Sequence, residues 1–121
     1  MAYMLVMAER LITVAETAVF QRQAKEVWTE AEHDEFVLYI AGNPEAGDVI
    51  PETGGVRKVR WGRAGTGKRG GVRVIYFYHD IDRPLYLLMV YQKGRQDDLD
   101  ADDKKAVREL ASVIKGKRRK A

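Results

Sequence analysis

The chain has no cysteine, and its only histidines, His33 and His79, lie far apart in sequence. A disulfide scaffold and a zinc module of the usual Cys/His spacing are therefore both excluded. Long apolar runs are missing too. The N-terminal "MAYMLVMAERLITV" holds only a short apolar stretch, from Ala2 to Ala8, closed by Glu9 and Arg10. That is too short for a membrane span or for a signal peptide, so no membrane partner and a cytosolic location are expected. Methionines at 1, 4 and 7 leave the natural start open, and residues 1–10 are read as a flexible extension. Acid is absent from one further place. Arg57, Lys58, Arg60, Arg63, Lys68, Arg69 and Arg73 put seven positive charges between residues 57 and 73 without a single carboxylate. The net charge of the whole chain is only +3, because acidic blocks at 26–35 and 97–103 offset this stretch and the basic tail "KGKRRK". Charge so distributed builds one region to meet an anion.

With 121 residues there is room for a single domain with its own core. Phe20, Ala24, Val27 and Trp28 recur at helical spacing. Thr29 and Glu32 then form a capping box that starts a second helix carrying Phe36, Val37, Ile40 and Ala41, which Gly42 and Pro44 stop. Two helices with so little loop between them form a hairpin that needs a sheet beneath it. The segments "RLITVA", "GVRKVRW", "VRVIYFYH" and "PLYLLMVY" supply four strands, and "DIDRP" turns the last two into a hairpin. Asp100 caps a last helix with Val107, Leu110, Ala111 and Ile114 on one face. The predicted fold is α+β, order β-α-α-β-β-β-α, with the helical hairpin on a mostly antiparallel four-stranded sheet. The domain is expected over 11–115, with 116–121 a disordered tail. Trp28, Tyr76, Tyr78 and Tyr86 are read as core or sheet residues.

The stretch "WGRAGTGKRGGVRV" imitates a phosphate-binding P-loop, with Gly62, Gly67 and Lys68 at G-x-x-x-x-G-K spacing. Arg69 stands where the magnesium-binding hydroxyl belongs, and a strand follows where a helix should open. Nucleotide hydrolysis is rejected on both counts. A mobile basic loop between two strands, with Arg57, Lys58 and Arg60 before it and Arg73 after it, suits a phosphodiester backbone instead.

The blocks "NPEAGDVIPETGGVRKVR", "GKRGGVRVIY" and "YLLMVYQKGRQDDL", in this order, resemble the RelE/HigB-type toxins of bacterial type II toxin-antitoxin modules, in particular the HigB-like branch. The likeness runs from residue 14 to about 114. It implies a metal- and cofactor-free endoribonuclease that enters the ribosomal A site, cuts translated mRNA and is neutralised by a cognate helix-turn-helix antitoxin. Carried over by position, Arg73 matches the strand arginine at the scissile phosphate. Lys68 and Arg69 match the basic loop, and Tyr91 and Lys93 match the end of the last strand, as catalytic candidates. Arg57, Lys58, Arg60 and Arg63, with Trp61, match the preceding strand as RNA-binding candidates. Relatives place a base-stacking tyrosine where this chain reads "RQDDLD", so stacking falls to Tyr91 or Trp61. His33 and His79 are read as surface residues rather than catalysts. A lysine serves as base only if neighbouring cations or burial lower its pKa, and arginine stays charged; the general base is left open. Two other functions fit the same pattern: a gyrase-inhibiting toxin of the ParE kind, and a non-catalytic RNA-binding module.

Overall fold

A computed structural model describes residues 12–63, 67–92 and 99–117. The chain runs β1 (Val14–Glu16), α1 (Ala18–Val27), α2 (Glu30–Gly42), β2 (Asp48–Val49), β3 (Val56–Arg63), β4 (Gly67–Phe77), β5 (Leu85–Gln92) and α3 (Ala101–Lys117). The strands make one five-stranded sheet in the order β1-β5-β4-β3-β2, in which β1 joins β5 in parallel and every other pair is antiparallel. The α+β fold and the element order agree with the sequence reading. The additional strand is β2, whose two residues are too few to show any alternation.

Both hairpin helices are fixed at their starts. The Thr17 hydroxyl accepts a bond from the Phe20 amide and donates one to the Leu88 carbonyl, so a single side chain caps α1 and ties it to β5. Thr29 and Glu32 form the reciprocal capping box of α2. Phe20, Ala24, Trp28, Phe36 and Ile40 then pack on Val59, Val72, Val74, Tyr76, Leu85, Leu87 and Val90, which alternate along β3, β4 and β5. Phe20 and Phe36 are fully buried, each worth about 1.5–3 kcal/mol on burial.

The opposite face of the sheet is covered by α3, whose Val107 and Ala111 meet Ile50, Val56, Ile75, Phe77 and Leu88. Leu88 reaches this face through a bulge. Ile75 pairs with Met89 while Tyr76 pairs with Leu87, so Leu88 is the extra residue. Gln23 of α1 accepts the Val90 amide just beyond the irregularity. The helix α3 continues to Lys117, past the boundary expected for the tail; residues 118–121, like the proposed extension 1–10, lie outside the described residues.

Candidate nucleic-acid interface

Strand alternation divides the basic run between the two faces of the sheet. On β3, Val56 belongs to the α3-side core, so Lys58 and Arg60 share that side. Val59 and Trp61 pack on the helical hairpin, and Arg57 shares theirs. Cross-strand pairing places Arg60 opposite Arg73 and Arg73 opposite Tyr91. Arg60, Arg73 and Tyr91 therefore form one transverse row across β3, β4 and β5, with neighbouring strands about 4.8 Å apart. Lys58 stands in the adjacent row, beside Ile75 and Met89.

Arg60 is exposed, whereas Arg73 and Tyr91 each keep only 8 % of their surface. The Nη1 of Arg73 is buried and has no hydrogen-bond partner. A guanidinium withdrawn from water is costly unless an anion or acceptor repays it. Such an arrangement is understood if the partner is a ligand, and a phosphate oxygen is the acceptor that a guanidinium fork fits best.

Two of the candidates stand elsewhere. Trp61 lies 4.6 Å from the ring of Tyr39 and 5.4 Å from that of Phe36, on the hairpin side. Of the two stacking candidates, only Tyr91 shares the face of Arg73. Arg57 turns its Nη1 to the carbonyls of Gly47, at 2.6 Å, and Glu45, at 3.4 Å, which makes it an anchor of the turn after α2. Truncating Arg57 to alanine is expected to cost about 1–3 kcal/mol by releasing charge-assisted bonds, and Arg60→Ala well under 1 kcal/mol. Paired urea denaturation curves check the contrast.

Lys68 and Arg69 were expected in a mobile loop; the backbone instead carries both within β4, and Arg63 within β3, because the strands extend to a Arg63–Gly67 pairing. Valine-poor, glycine-rich sequence hides a strand of this kind, since its propensity is low and only pairing with β3 holds it. Residues 64–66 lie outside the described residues, as does Lys93.

The block "NPEAGDVIPETGGVRK" turns out to carry architecture. The Tyr76 hydroxyl, buried beneath it, donates to the Pro44 carbonyl at 2.9 Å and accepts from the Gly47 amide at 2.8 Å. Thr53 is fully buried, donating to the Ile50 carbonyl and accepting from the Val56 amide. Its turn needs left-handed backbone at Glu52, Gly54 and Gly55, with φ of 66°, 76° and 108°. Sequence reasoning read Tyr76 as a core or sheet residue and Pro44 as a helix stop, and gave Gly47, Glu52, Thr53, Gly54 and Gly55 no role. Burial pushes the Tyr76 phenol above the ordinary value of 10.0, although the Gly47 amide and Arg57 act the other way. The folded chain thus holds this proton more tightly than the unfolded one. Tyr76 contributes stability that is complete below pH 10 and is lost as pH rises beyond it. A Tyr76→Phe variant, weaker at neutral pH, is expected to show a smaller alkaline loss above pH 10 in thermal melts.

The histidines sit away from the row. His33 is a link between elements: its Nε2 lies 2.6 Å from the Glu16 carboxylate, and its ring stacks on Trp28. His79 stacks on Phe77 at the far end of β4 from Arg73. Among the described residues no cluster of three or more His, Cys, Asp or Glu could hold a metal. None of the described helices is long and apolar enough to cross a membrane.

The described molecule is a small α+β domain with a cationic row set into one sheet face. The chain belongs to the family described as the RelE toxin of the RelE/RelB toxin-antitoxin system, which matches residues 12–121. It is thus the toxin half of such a pair, and an antitoxin is its family partner.

Proposed function

We propose that the chain is a ribosome-dependent endoribonuclease of the HigB-like kind, cutting mRNA in the ribosomal A site and held in check by a helix-turn-helix antitoxin. The observation that carries the reading is the Arg60–Arg73–Tyr91 row, with a buried Arg73 nitrogen lacking a partner. In the reaction the ribose 2′-hydroxyl attacks the adjacent phosphorus. The bond from phosphorus to the 5′-oxygen breaks, leaving a 2′,3′-cyclic phosphate and a 5′-hydroxyl. Arg73 offsets the charge gathered on the pentacovalent phosphate, the kind of preorganised contact that stabilises a transition state most. Arg60 takes a neighbouring phosphate and Tyr91 braces the sugar or base beside the cut. Lys58, Lys68, Arg69 and Lys93 are the cations that raise the local potential, and a lysine among them takes the 2′-hydroxyl proton and passes it to the departing 5′-oxygen.

The test is to express the chain from a repressed promoter and map new 5′ ends on translated and untranslated copies of one reporter. New ends confined to the translated frame, carrying 5′-hydroxyls, are the expected result. Growth arrest with no new ends would remove the chemistry and leave a binding toxin, with gyrase the next target to assay.

A further inference from the structure

On the same sheet face as the row, β2, the start of β3 and the first turn of α3 enclose a cleft of about 410 Å3, a volume within the range of small-ligand sites. Its walls include Asp48, Ile50, Pro51, Lys58, Leu99 and Lys104. Asp48 and Lys58 are cross-strand partners, so their side chains share a face. Lys58 and Arg60 are two residues apart on one strand, roughly 7 Å, which is about the reach of one nucleotide.

Its chemistry differs from that of the row. Ile50 and Leu99, both buried in the α3-side core, together with Pro51 give an apolar wall on which a planar ring can lie. Asp48 brings a carboxylate that is exposed and, among the described residues, has no hydrogen-bond or ion-pair partner. Lys104 is half-buried on the first turn of α3, and among the described residues its ammonium is likewise without a partner. A carboxylate repels phosphate, so the Asp48 side of the cleft is no phosphate site. An acid set among cations selects instead a neutral group with paired donors. Among RNA bases only guanine presents two adjacent donors, N1–H and the N2 amino group, on its pairing edge. Adenine, cytosine and uracil set an acceptor lone pair beside their donor, and that lone pair would face the carboxylate.

We propose that this cleft is a base-reading subsite for a guanine next to the scissile phosphate. The ring lies on Ile50, Pro51 and Leu99, Asp48 accepts from N1–H and N2–H, and Lys104 holds the phosphate on the side away from Arg73. The assignment rests on the ribonuclease reading above, and it gives that reaction a sequence preference.

The experiment uses the purified full chain and fluorescent 2′-O-methyl trinucleotides, which cannot be cleaved, with each of the four bases in turn between two adenines. The guanine ligand should bind about 10-fold more tightly than the other three, the scale of one good two-bond base contact. Asp48→Asn should reduce that preference to within about 2-fold while thermal stability is unchanged, and Lys104→Ala should weaken all four ligands alike. Equal affinities in the unaltered protein, or a guanine preference that survives Asp48→Asn, would overturn the subsite. Guanine preference without translation-dependent cuts sinks the nuclease reading alone, and cuts without the preference sink the subsite alone.

Discussion

Arg73→Ala should lower the rate of translation-dependent mRNA cleavage by about 100-fold or more, the usual consequence of deleting one preorganised contact to a charged transition state. Its thermal stability should stay close to that of the unaltered chain, or rise. In the free protein Arg73 is a buried cation whose Nη1 bonds to nothing, and removing an uncompensated buried charge relieves a cost. Loss of activity with retained or improved stability is the mark of a group kept for its ligand. Arg73→Lys separates charge from geometry: a lysine restores the charge without the planar fork, and recovery of less than a tenth of the rate is expected. Primer-extension rates on a stalled ribosomal complex, with melting curves beside them, check both variants. Cleavage within about 3-fold of the original, against that same expectation, would move the phosphate site away from the row.

Gly47→Ala should destabilise the fold strongly with no direct effect on chemistry. A Cβ at residue 47 would stand 2.8 Å from the Lys58 carbonyl oxygen and 2.9 Å from the Tyr76 ring. The first contact is backbone and cannot step aside. Relief must come from parting the β2 turn from β3, which also breaks the bond between the Gly47 amide and the Tyr76 hydroxyl. Overpacking and one buried unsatisfied group together amount to about 3 kcal/mol, or roughly 10–20 °C in melting temperature for a domain of this size. An unchanged melting temperature would show that the turn has slack. Gly116, which has open space around its missing Cβ, provides the control.

The elements legible in the sequence were those with a strong period or a local chemical stop. The capping box at Thr29 and Glu32, the alternation around Val59, and the apolar run from Leu85 all appear where expected. The hidden ones depend on distant partners. Strand β2 exists only because Asp48 and Val49 meet Lys58 and Arg57, and the glycine-rich opening of β4 only because it meets β3. The same limit applied to the site. A run of basic residues was plain in the sequence, but which of them share a face depends on strand register. Period-two alternation could have separated Arg57 from Lys58 and Arg60; it could not have found that Arg57 serves the Gly47 turn. Nor did the histidine at 33 announce its contact with Glu16, since that bond spans two elements.

The sheet closes by pairing its first strand with its last, Val14–Glu16 beside Leu85–Leu87. During synthesis the helical hairpin therefore emerges long before the surface it must cover, and nothing local can complete the fold in the meantime. The same lateness governs the transverse row, whose third member, Tyr91, is made last. A nascent chain interrupted before β5 is finished has neither a closed sheet nor an assembled cationic row. Synthesis must therefore pass Tyr91, three-quarters of the way along the 121 residues, before the cationic row can exist.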